Sequence, residues 1–241
     1  MKKMIIICAV SLLIMLAAAS VANASLSEGH TEATLNDLSS SLTITGVGSW
    51  GGLLVYDSVN YVEHWPGNDT PVVSDQVDIV SASAKMWTDN LFVAIESFAN
   101  PPYNETSFSG GRSNQRWYFM AKEAGSVTFT LNYLIQQELE TKLPGESAWV
   151  GGGPSLELFY SDWTLIDSDY FWRTNWGGSG SWEYSGTLSV SHNFNIGDLG
   201  FIQFYVESQG QAHTLVPAPE AIMLGSIGLG LAGWLTRRRT I

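Results

Sequence analysis

The stretch TLSVSHNFNIGDLGFIQFYVES, residues 187–208, decides the fold. From Thr187 to Ile196 the apolar residues Leu188, Val190, Phe194 and Ile196 alternate with Thr187, Ser189, Ser191, Asn193 and Asn195. A repeat of two puts every second side chain on the same face, which marks a half-buried strand. Gly197-Asp198-Leu199-Gly200 then reverses the chain, and Phe201–Ser208 resumes the alternation with Ile202, Phe204 and Val206 on one face. The pair reads as a hairpin. His192 falls on the apolar face, where a half-buried, hydrogen-bonded imidazole is expected.

The same pattern extends outward from this pair. Val127, Phe129, Leu131 and Tyr133 alternate with Thr128, Thr130 and Asn132, and further strands are expected at 41–45, 76–84, 91–98, 117–121 and 155–160. Turn chemistry separates them at residues 65–69, 100–104, Ser109-Gly110-Gly111 and Gly151-Gly152-Gly153-Pro154. One stretch, Leu134–Leu143, carries Ile135, Leu139 and Leu143 at a spacing of four, which fits either a short helix or the end of a long hairpin. Many strands, many glycines and almost no helix predict an all-β fold for residues 25–214. The expected form is an antiparallel β-sandwich of jelly-roll or related type.

Charge narrows the partners. Of the 23 acidic residues only Glu220 lies outside 25–215, whereas the basic residues of that span are Lys85, Arg112, Arg116, Lys122, Lys142 and Arg173. Nucleic acid is excluded as a partner, because phosphate neutralisation needs clustered positive charge. Cys8 is the one cysteine and lies near the N-terminus, so the body forms no disulfide and performs no thiol chemistry.

The two ends read as addresses. Residues 1–24 have Lys2 and Lys3, an apolar run from Met4 to Ala19, and a small-x-small site at Ala22-Asn23-Ala24, the order of a secretory signal cleaved before Ser25. Residues 215–241 contain Val216, Pro217, Ala218, Pro219 and Glu220, then an uncharged run from Ala221 to Thr236, then Arg237, Arg238 and Arg239. As a helix, that run spans roughly 24 Å, short of the roughly 30 Å hydrocarbon core. It suits a weakly held membrane segment whose arginines stay cytoplasmic. A permanent single-pass anchor is the alternative.

This tail resembles the PEP-CTERM sorting signal of exported bacterial proteins. The resemblance implies processing by an exosortase-type membrane enzyme, transit through the inner membrane, and delivery to the cell envelope or to the extracellular polysaccharide matrix of a biofilm. A structural or adhesive role is implied, with carbohydrate binding as the expected activity. The alternatives are a polysaccharide-modifying glycoside hydrolase or lyase on the same scaffold, and a self-assembling surface protein that recognises no sugar.

Aromatic residues concentrate between Phe159 and Tyr184, and Trp172, Trp176 and Trp182 are the candidate glycan platforms. No catalytic residue, cofactor or metal is assigned. His30, His64, His192 and His213 show no metal spacing. Asp167 with Asp169, and Asp75 with Asp78, could each supply only part of the six to eight oxygens that calcium takes. Glycine patterns at 46–51 and 228–233 mimic a dinucleotide fingerprint, but the first runs into the strand-like Gly52–Tyr56 and the second lies in the tail. On this reading the mature protein recovered from its host starts at Ser25 and ends near Pro219, and intact mass spectrometry of membrane and released fractions checks it. A chain retained in membranes and ending at Ile241 would mean a permanent anchor.

Overall fold

The computed structural model describes residues 25–36, 39–65, 73–102 and 104–215. The signal, with Ala22 and Ala24, and the tail from Val216 to Ile241 lie outside the described residues. Among these residues there are thirteen strands and no helix: β1 Leu26–Leu35, β2 Leu42–Tyr56, β3 Tyr61–His64, β4 Val73–Ile79, β5 Ala82–Asp89, β6 Phe92–Ala99, β7 Thr106–Ala121, β8 Gly125–Glu140, β9 Ser147–Tyr160, β10 Leu165–Tyr170, β11 Arg173–Trp176, β12 Gly180–Phe194 and β13 Leu199–His213.

All pairing is antiparallel and falls into two sheets. The first sheet has the order β12-β8-β1-β6-β5-β4, and the second β10-β9-β13-β7-β2-β3, with β11 also paired to β9. The two pack face to face as a β-sandwich. Val93, Ile95, Phe129, Leu131, Leu188 and Val190 of the first sheet share one buried cluster with Leu53, Phe119, Leu156, Ile202, Phe204 and Val206 of the second.

Several expectations are corrected. Residues 187–208 are not a hairpin: β12 pairs with β8, and β13 pairs with β7 and β9, so the turn at Gly197 carries the chain from one sheet to the other. Gly197 has φ +86, a conformation open to glycine without strain. Leu134–Glu140 is strand, because a spacing of four is also twice the strand period, and Ile135 and Leu139 are both buried from one face of β8. Residues 76–84 span the end of β4, a turn at Val80-Ser81 and the start of β5. The glycine clusters 109–111 and 151–153 lie inside β7 and β9. His213 ends β13, with its Nδ1 bonded to Thr106 Oγ1 at 2.9 Å. His192 is half-buried as expected, bonded through Nε2 to the Tyr160 hydroxyl at 2.8 Å.

The glycines in β1, β9 and β13 answer to packing between the sheets. A Cβ on Gly29 would lie 2.5 Å from Ser208 Oγ, one on Gly152 would lie 2.8 Å from Thr31 Oγ1, and one on Gly210 would collide with Ser27 Oγ. Each hydroxyl on one sheet therefore fits a glycine on the other, and Cα atoms of β1 and β13 come within 8 Å. The contact is also polar. Ser97 and Ser208 share a 2.7 Å hydrogen bond, as do Thr88 and Ser113, and Ser27 Oγ donates to the Trp149 carbonyl at 2.8 Å.

Aspartates close both open seams of the sandwich. Asp167 and Asp169 on β10 accept hydrogen bonds from the backbone N–H groups of Ser191 and Ser189 on β12, at 2.9 and 3.0 Å. Those amides belong to an edge strand and would otherwise be free to pair with another chain. At the opposite seam His64 Nδ1 of β3 lies 2.6 Å from Asp75 Oδ2 of β4. Asp78 accepts from Gln76 Nε2 at 2.7 Å, so both acid pairs considered for calcium are engaged with protein groups, and among the described residues no cluster of three or more metal-ligating side chains exists.

The outer face of the first sheet is acidic. Glu28 stands directly opposite Glu138. Partial burial, then the charges of Glu138 and Glu96, raise the Glu28 carboxyl above its ordinary value near 4.5. A raised carboxyl binds protons more tightly in the folded state, so its contribution costs stability as pH rises above about 4.5 and vanishes below it. Glu28→Gln is expected to stabilise the domain at pH 7 by about 0.5 kcal/mol, the scale of a directly opposed cross-strand charge pair, with the gain disappearing at pH 4 in urea titrations. Gly152→Ala is expected to cost about 1–3 kcal/mol through overpacking. Gly48→Ala, where an added Cβ meets nothing within 4 Å, is the near-neutral control.

Candidate functional site

Strand alternation sends half the side chains of the second sheet outward, and register lines them up in rows across the strands. One row reads Tyr61, Tyr56, Phe108, Gln211, Trp149, Trp176, each directly opposite the next on β3, β2, β7, β13, β9 and β11. Five strand spacings make it about 24 Å long. Its rings touch: Tyr56 and Phe108 stack at 5.0 Å between centroids, Phe108 and Trp149 lie 6.1 Å apart, and Trp149 and Trp176 5.5 Å apart. Gln211 fills the one non-aromatic place and accepts a hydrogen bond from Trp149 Nε1 at 2.9 Å.

The next row is low, because glycine occupies two of its places: Leu54, Gly110, Gln209, Gly151, Thr174. Beyond it runs Gly52, Arg112, Glu207, Gly153. The ring of Trp65 lies against Gly52, and that of Trp172 lies close over Gly151, 3.2 Å from where a Cβ would stand. The result is a trough that runs across the strands. Its floor over β2, β7 and β13 is Leu54, Gly110 and Gln209, one wall is the aromatic row, and the other is Trp65, Arg112 and Glu207, while on β9 the Trp172 ring covers Gly151. A recess of about 370 Å³ within it is lined by Trp50, Trp65, Phe108, Gly110, Arg112 and Gln209 among others.

The polar groups here are held in place. Arg112 donates from Nε to Glu207 Oε1 at 2.8 Å, while its guanidinium sits 4.2 Å from the Tyr205 ring centroid. Glu63 accepts from Trp65 Nε1 at 2.6 Å and from the Tyr61 hydroxyl at 2.9 Å. Those two hydrogen bonds, Trp65 first, hold the Glu63 carboxyl below the ordinary carboxylate range, so it stays ionised. Arg112 and Glu207 neutralise each other, leaving a site with aromatic faces, amides, one compensated ion pair and the ionised Glu63.

Of the three tryptophans singled out from sequence, Trp176 is 71% exposed and ends the aromatic row. Trp172 is partly exposed, and its Nε1 donates to Thr174 Oγ1 at 2.9 Å. Trp182 is half-buried and packs against the small cluster of Ala99, Leu139, Ala148, Val150 and Ala212, so it covers the end of the core and is no platform. Tyr56, Phe108, Trp149, Trp65, Arg112, Glu207 and Gln209 were not recognised from sequence. Their signal is the alternation of outward aromatic or polar residues with inward small ones in β7 and β9, which becomes legible only with register.

No protein-family model matches the chain, and no curated protein is similar to it. Among solved structures, the outer membrane protease OmpT from Escherichia coli aligns at 10% identity over 79% of this chain and 97% of that one, with a TM-score of 0.19.

Proposed function

We propose that this is an exported protein whose β-sandwich binds an extended, uncharged polysaccharide in the trough across its second sheet. The observation that carries the reading is the juxtaposition of an aromatic row about 24 Å long with a glycine floor and fixed polar groups. The C–H faces of a pyranose ring carry slight positive charge and lie well against the negative faces of tryptophan and tyrosine. Hydroxyl groups at the ring edges meet Gln209, Thr174, Arg112 and Glu207, each able to accept or donate. A few placed polar groups in an aromatic recess is the composition of a ligand site. A neutral ligand fits because the acidic body repels polyanions and the trough's one charge outside the Arg112–Glu207 pair, Glu63, is itself negative.

Binding without turnover is the better-supported activity. A glycosidase needs a protonated carboxyl beside a second carboxylate. In the trough Glu207 is tied to Arg112, and Glu63 is held ionised by two donors. Cellular placement rests on the two ends: the signal at 1–24 and the PEP-CTERM-like tail at 215–241 support delivery by an exosortase-type enzyme to the envelope or matrix. There a glycan-gripping domain would act as a structural or adhesive component.

Affinity electrophoresis of the purified domain in gels containing hydroxyethylcellulose, xyloglucan, galactomannan or dextran tests the reading. Retardation by at least one polymer is expected, with Trp176→Ala and Gln209→Ala each weakening it by about tenfold, or about 1.4 kcal/mol, and no release of reducing ends. Unretarded migration in every gel, or retardation that both substitutions leave intact, would contradict it.

A further inference from the structure

A second feature stands on the same face, displaced about 14 Å along β7 by the four residues that separate Arg116 from Arg112. Its row is Gly48, Arg116, Gln203, Glu157. Arg116 donates to Gln203 Oε1 from Nε at 3.1 Å and from Nη2 at 2.6 Å, and from Nη1 to the Tyr118 hydroxyl at 3.0 Å. All these acceptors are neutral. Among the described residues no carboxylate lies within ion-pair distance of it, although the body is crowded with acids. The nearest in its network, Glu157, accepts from Gln203 Nε2 at 3.3 Å.

The guanidinium lies against two touching rings, 4.5 Å from the Trp163 centroid and 5.1 Å from that of Phe201. Three hydrogen bonds use three of its five N–H groups, so two donors and a full positive charge are left over. Gly48, its neighbour on β2, leaves open space at its side. Trp163 lies in the β9–β10 turn, 59% exposed, and holds a φ of +71 that a large side chain seldom adopts. Phe159 and Phe201 fix that ring from below, at 6.3 and 4.9 Å between centroids.

We infer that Arg116, with Trp163 and Gln203, forms an anion subsite that takes the carboxylate or sulfate of an acidic sugar, the guanidinium pairing with the oxygens while Trp163 receives the ring. Planar guanidinium donors match a two-oxygen anion in a way that an ammonium does not. The subsite rests on the reading of the domain as a saccharide binder, and it extends the specificity from neutral chains to branches or ends that carry single charges. A long polyanion is disfavoured by the acidic body.

The test is a heteronuclear NMR titration of the domain with methyl β-glucuronide, glucose 6-sulfate and methyl β-glucoside, followed at the Trp163 indole and the Arg116 Nε–H. At least one charged sugar is expected to shift both signals with at least tenfold higher affinity than the neutral glucoside. Arg116→Gln should abolish that preference and Arg116→Lys restore only part of it. The stronger of the two charged sugars then names the anion. Equal response to charged and neutral sugars, no response to either charged sugar, or a response unchanged in Arg116→Gln with its spectrum otherwise native, would overturn the subsite. The Trp149 and Trp176 indole signals, titrated with cellohexaose in the same samples, report on the trough separately, so failure there is distinguishable.

Discussion

Everything in this sandwich depends on how closely β1 lies against β9 and β13. Ser27 fits Gly210, Ser208 fits Gly29, and Thr31 fits Gly152, so three small-residue contacts replace the large apolar side chains that fill the rest of the interior. Close approach puts hydroxyls of opposite sheets within hydrogen-bonding range, which offsets the cost of burying Ser97, Ser208, Thr88 and Ser113, whereas the Thr31 hydroxyl is buried without a partner. The interior is thus apolar through one part and hydroxyl-lined in another, with both built from strands of the same regular alternation. That close contact also fixes the relative placement of β7, β9 and β13, whose outward faces carry the trough.

The sheet edges obey a similar economy of side chains. A two-sheet sandwich has four edge strands, each with unpaired backbone groups. On β12 two such amides are taken by Asp167 and Asp169, and across the far seam His64 meets Asp75. Of the acids that look in the sequence like fragments of a calcium site, Asp75, Asp167 and Asp169 tie the two layers together. Three further acids, Glu28, Glu96 and Glu138, crowd together on the outer face of the first sheet. The second sheet presents aromatic rings and the arginines Arg112 and Arg116, so the two outer faces of one domain differ in kind.

The strands were legible from alternation alone, since Leu188, Val190, Ile202, Phe204 and Val206 are all buried as their spacing requires. Their partners were not. Period two states which face a residue takes but not which strand lies beside it, and so the turn at Gly197 passed for a hairpin. Gly151-Gly152-Gly153-Pro154 has the composition of a turn, yet its glycines answer to close contacts that only the folded state displays. The site was hidden for the same reason. Tyr56, Phe108, Trp149 and Trp176 are spread across some half of the chain, and nothing local unites them. Trp176 was recognisable because it sits in a polar stretch, whereas Trp182 shares that neighbourhood and turns inward.

The sugar chain proposed for this domain lies across the strands of the second sheet, between the aromatic row and Trp65. The most direct measurement is a crystal structure of the domain with bound cellohexaose. Density for consecutive rings along the glycine floor, touching Trp149 on one side and Arg112 or Glu207 on the other, is the predicted result. Sugar bound in another orientation along the strands, or ordered only at the acidic face of the first sheet, would contradict it.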